Sequence, residues 1–94
     1  MQKISEFAEI KIEMNYEPHY TPFVKATYNR IGAHFSIDTG EMIDVLKGEF
    51  DDFPYKPRSL VAAWIIIHKI ELIKNWDRLV KNPNSILSQI APLQ

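Results

Sequence analysis

Residues 57–82 read PRSLVAAWIIIHKIELIKNWDRLVKN, and no other stretch of the chain is long enough to anchor a core. Pro57 suits a first helical turn, where its fixed φ is already helical and its missing N–H would have no intrahelical partner. From Leu60 onward, strong helix formers and large apolar residues run without glycine or proline until Pro83, and Asn82-Pro83-Asn84 is a stop signal. The pattern predicts one helix of about 25 residues, roughly 38 Å long.

Three stripes run along this helix. Val61, Ile65, His68, Leu72, Trp76 and Leu79 have the spacing of a core-facing surface. Leu60, Trp64, Ile67, Glu71, Lys74, Arg78 and Lys81 begin apolar and end charged, while Ala63, Ile66, Ile70 and Ile73 form the third stripe. The first half is therefore apolar nearly all round, and such a segment has to be covered on more than one side. Either the C-terminal tail wraps it or a second subunit covers it. Trp64, Ile66 and Ile67, with the basic Lys74, Arg78 and Lys81 further along, are the candidate partner-binding residues. The apolar run from Leu60 to Ile67 is far short of the ~20 residues a bilayer requires, so no membrane partner is expected.

A chain of 94 residues, 46% hydrophobic and 12% aromatic, is expected to form one globular domain, residues 1–94, with a single core. It holds no cysteine, which excludes a disulfide framework, a thiolate nucleophile and a Cys-based zinc site. The opening MQKISEFAEIKIEM alternates charged and apolar groups and lacks the hydrophobic run of a signal peptide, so a cytoplasmic location is expected. A net charge of −1 conceals an asymmetry. Residues 1–55 carry five Lys/Arg against ten Asp/Glu, whereas residues 56–94 carry six against two. Lys74, Arg78 and Lys81 sit in the last helical turns, where cations complement the helix dipole; they could also meet an acidic partner or phosphates.

Residues 7–14, FAEIKIEM, alternate apolar and polar groups as a half-buried strand does. Residues 15–22 hold two prolines that interrupt the ladder. Residues 23–28 and 33–37 read as a hairpin with Asn29-Arg30-Ile31-Gly32 as its turn. Residues 41–46 read as a fourth strand or a short helical turn, and residues 47–56 as an acidic, aromatic loop. Ile86, Leu87, Ile90 and Leu93 mark an apolar tail that packs back. The expected fold is α+β: an antiparallel meander sheet of three to four strands packed against one long C-terminal helix, with a short apolar tail.

Few residues could carry chemistry. No phosphate-binding glycine loop, nucleophile elbow or HExxH is present. His68 and Glu71, three apart on the helix, could share a metal or orient a proton transfer, but the same spacing serves an ordinary hydrogen-bonded pair. Glu49, Asp51 and Asp52 lack the ligand spacing of a calcium loop. No cofactor and no metal site are expected.

Beside these features the chain resembles a bacterial family known as domain of unknown function 4160. The resemblance rests on Ile12, Met14, Tyr16, His19, Pro22 and Tyr28 in a first segment and on Leu60, Val61, Trp64, His68, Glu71, Leu72, Asn75 and Trp76 in the helix. Ile90, Pro92 and Leu93 complete it in the tail. The chain departs from the family pattern at Pro18, where the pattern has Asp, and at Phe23-Val24-Lys25, where it has His-Phe-His. Two of three clustered histidines are thus missing, and the link from Asp44 to Pro54 is longer. The resemblance implies a small regulatory or interaction role, toxin–antitoxin-like, in bacteria or their mobile elements.

The leading expectation is a non-enzymatic interaction module that forms a homodimer or binds a small protein partner through its long helix. In this reading Tyr16, His19, His68, Glu71 and Asn75 form a structural polar network, Asn75 tying the helix to the loop around Tyr16 and His19. The alternative is a hydrolase, possibly acting on nucleic acid, with His19, His68 and Glu71 as acid/base groups. Nucleic-acid binding through Lys74, Arg78 and Lys81 is not favoured by the overall acidity.

Overall fold

The computed structural model describes residues 1–94 apart from the side chain of Asp51, which leaves that member of the acidic cluster outside the described residues. Five strands come first: β1 (Gln2–Phe7), β2 (Ile10–Met14), β3 (Phe23–Tyr28), β4 (Ile31–Ser36) and β5 (Met42–Val45). They form one antiparallel sheet in chain order, β1-β2-β3-β4-β5. A 3₁₀ turn at Phe50–Asp52 leads into α1 (Tyr55–Ile67) and α2 (Lys69–Lys81), and a tail without regular structure closes the chain.

The class is α+β, but two details correct the expected architecture. The sheet has five strands where three or four are expected, because residues 7–14 are not one strand. The chain reverses at Ala8 and Glu9, with φ of 50° and 64°, and Phe7 pairs with Ile10 across a two-residue turn. Such turns favour Asn and Gly, and Ala-Glu carries neither signal. Strand β1 also hides its alternation behind a register slip between Lys3 and Ser5 that leaves Ile4 as the extra residue. The second two-residue turn, Asn29-Arg30 with φ of 50° and 71°, is tighter than the four-residue turn expected, so Ile31 and Gly32 belong to β4.

The second correction concerns the helix. The expected single helix is two helices of 13 residues each, interrupted at His68, whose φ of −107° and ψ of 21° leave the helical region. Two hydrogen bonds bridge the break, from the His68 N–H to the Trp64 carbonyl (3.0 Å) and from the Leu72 N–H to the His68 carbonyl (3.0 Å). No proline or glycine causes it. A straight helix over both segments would be ~40 Å long at 1.5 Å per residue, whereas the molecule extends 35 Å along its longest principal axis. Bending at His68 lets both halves stay on a short, twisted sheet.

Both halves bury the apolar members of the expected stripe, His68 is half-buried at the break, and Trp64 joins the core from the neighbouring stripe. Val61, Trp64 and Ile65 of α1 and Leu72, Trp76 and Leu79 of α2 join Ile10, Ile12, Met14, Val24, Ala26, Ala33 and Phe35 in one core. Gly40 lies close to α1: a Cβ there would stand 3.1 Å from the Ala62 carbonyl oxygen, and its φ of 77° suits only glycine comfortably. The tail covers the flank. The Ile90 N–H donates to the Ile4 carbonyl (2.8 Å), Gln2 bonds the tail at Ser85 and Leu87, and Leu87 and Ile90 are buried, although Ile86 points outward. The opposite side of the sheet carries Lys11, Glu13, Lys25, Thr27, His34 and Asp44, all exposed or half-buried.

Candidate functional site

The apolar all-round segment divides sharply. Trp64 turns inward and is 0% exposed; its indole Nε1–H donates to the Ala91 carbonyl at 2.9 Å, and its ring packs 5.6 Å from that of Phe7. It therefore takes no part in an outer surface. Ile66 and Ile67 at the end of α1 and Ile70 at the start of α2 remain 66%, 64% and 74% exposed. Spacings of three and four place them together on one helical face across the His68 bend. Lys74, Arg78 and Lys81 continue along the exposed side of α2, where Arg78 also donates to the Ser88 hydroxyl at 2.9 Å. Together the three isoleucines form an exposed apolar patch.

Of the expected polar network the His68–Glu71 link is present, whereas Asn75 reaches the tail and not the loop around Tyr16 and His19. His68 Nδ1 lies 2.8 Å from Glu71 Oε1, an i, i+3 pair. Because the Glu71 carboxylate is largely exposed, such a pair contributes about 0–1 kcal/mol. Asn75 is buried, but it ties the helix to the tail: its Nδ2 donates to the Ser88 carbonyl (3.0 Å), and its Oδ1 accepts from the Ser88 N–H (3.1 Å). Tyr16 leans on Trp76 with ring centroids 6.3 Å apart. His19 is exposed, at φ 73° in the loop before β3. Among the described residues no three His, Asp or Glu side chains come together as a metal site would require, so His19, His68 and Glu71 are not one constellation.

The acidic loop is used locally. Asp52 Oδ2 accepts from the Glu49 N–H at 2.8 Å, closing the turn over Gly48. A Cβ at Gly48 would collide with that carboxylate.

One polar cluster has no sequence signal. His34 on β4 and Asp44 on β5 are cross-strand neighbours, with Nδ1 3.0 Å from Oδ1, while hydrogen-bond geometry is met by Oδ2 at 3.4 Å. Phe23 packs 4.5 Å from the imidazole and Tyr20 stands edge-on at 5.9 Å. Only the strand register, which depends on the bulge between His34 and Phe35, brings the two polar residues together. On the edge strand, the Lys3 ammonium hydrogen-bonds and attracts the Glu6 carboxylate and holds its pKa below the usual value. That small stabilisation is present above the ordinary carboxylate pKa and is lost as pH falls through the lowered one.

Among the described residues no helix is long and apolar enough to cross a membrane. Residues 9–77 match the family model described as Domain of unknown function (DUF4160), a span that includes four of the strands and most of both helices. No curated protein and no solved structure matches the chain.

Proposed function

The chain belongs to the DUF4160 family, and from that premise we propose that it is a small bacterial protein-interaction module of the cytoplasm, toxin–antitoxin-like in its regulatory role. It associates with a second copy of itself through the outer face of α1 and α2. The observation that carries this reading is the exposure of Ile66, Ile67 and Ile70 side by side across the bend. The sheet and tail already cover the inner side and flank of the helices, so only another molecule can cover this face. Lys74 and Asp77 continue it with opposite charges that can pair across a twofold axis.

Sedimentation velocity over a dilution series tests this. The parent protein is expected to sediment as a dimer at high micromolar concentration. Ile66→Glu is expected to sediment as a folded monomer, since it forces an unpaired charge into the interface. A parent protein that is monomeric throughout refutes the reading.

A further inference from the structure

We propose that the uncovered face of the sheet binds a small phosphate-bearing ligand in a cavity lined by Lys25, Thr27, Arg30, Gly32, Leu46 and Lys47. The cavity measures about 260 Å³ and lies on the side of the sheet away from the helices, so it is independent of the association face.

Charge placement is the first argument. Residues 1–55 hold five cations among ten acids. Lys3 pairs with Glu6 at 2.9 Å and Lys11 with Glu13 at 3.7 Å. The other three, Lys25, Arg30 and Lys47, have no carboxylate within ion-pair distance among the described residues, and all three line this cavity. Lys25 has a carboxylate available, because Glu13 stands directly across from it in the β2–β3 register. Yet Glu13 pairs with Lys11, and the Lys25 side chain lies over Gly32 instead. Three converging cations repel one another unless an anion sits between them.

The floor is the second argument. A Cβ on Gly32 would stand 3.0 Å from Lys25 Cε and 3.2 Å from Leu46 Cδ1, so the missing side chain is what lets these two side chains lie low over the strand and line the depression. Thr27, the cross-strand neighbour of Gly32, brings a hydroxyl donor to the same rim. The Gly32 carbonyl, which would repel an anion, is engaged by the Leu46 N–H at 2.9 Å.

The surroundings select the size of the ligand. Glu13 flanks the cations on the β2 side, and Asp44 lies on the same face on β5. A nucleic-acid strand running across the sheet would meet these carboxylates, whereas a single phosphate group would meet only the cations.

Amide shifts followed by NMR, on adding inorganic phosphate, adenosine 5′-monophosphate or a single-stranded oligonucleotide in separate titrations, test the proposal. Saturable shifts at Thr27, Gly32 and Lys47 are expected with the two small probes. The double variant Lys25→Gln/Arg30→Gln is expected to bind them at least about tenfold more weakly, with unchanged circular dichroism. Lys47→Gln, at an exposed position, gives a second reading and is expected to weaken binding by about threefold. The charge-matched Lys3→Gln/Lys56→Gln pair, exposed and outside both the cavity lining and the association face, is expected to bind like the parent. No saturable shift up to about 20 mM probe, equal weakening in the control pair, or tighter binding of the oligonucleotide than of the monophosphate would each overturn it.

Discussion

Trp64 and Ile65 are wholly buried, while Ile66 and Ile67, the next two residues, are mostly in water. By composition the four form one apolar run, and only their angular position on α1 separates them. The inner pair holds the helix to the sheet and tail. The outer pair, joined by Ile70 from α2, serves no core. An apolar run thus reports that something is covered, and geometry decides whether the cover lies within the chain or in another molecule.

Substitutions on the two sides separate these roles. Trp64→Ala removes a large core side chain and the hydrogen bond to Ala91, and is expected to destabilise the fold by about 3–5 kcal/mol in urea unfolding. Ile66→Ala, measured at a concentration where the protein is monomeric, is expected to change stability by less than about 0.5 kcal/mol. Comparable losses at both positions would erase the distinction.

The inner side has its own weak point where the tail is tied down. Asn75→Ala removes both hydrogen bonds that the buried amide makes to the Ser88 backbone and is expected to lower stability by about 1–2 kcal/mol, with faster amide exchange at Ser88. Exchange at Ser88 equal to that of the parent would show that the tail is held by Leu87 and Ile90 alone. A smaller effect of opposite sign is expected at the β1–β2 turn. Glu9→Gly relieves the left-handed backbone at a non-glycine residue and should raise stability by about 0.5–1 kcal/mol, read as a higher Tm.

What the sequence makes legible follows from periodicity. The stripe Val61, Ile65, His68, Leu72, Trp76 and Leu79 repeats at helical spacing and is buried except at His68, which is half-buried at the bend. The alternation of Ile10, Ile12 and Met14 likewise marks the inner face of β2. Features without periodicity stay hidden. The Ala8-Glu9 turn lacks the residues that usually announce one, and the bend at His68 contains no helix breaker. The Asn75–Ser88 and His34–Asp44 contacts depend on how the tail docks and where a bulge falls, neither of which is a local property. Trp64 shows the limit most directly: it shares a stripe with Ile67, yet the tail covers it and leaves Ile67 exposed.

The outer face can be tested directly because the chain has no cysteine, so a single introduced thiol reports only its own contacts. Ile70 lies centrally on the proposed face, and in a twofold arrangement a residue near the axis meets its own copy. Ile70→Cys is expected to form a disulfide-linked dimer rapidly under mild oxidation, whereas Ile86→Cys, in the tail and more exposed than Ile70, is expected to remain mostly monomeric. Equal cross-linking of the two variants, or none at Ile70→Cys, would contradict association through this face.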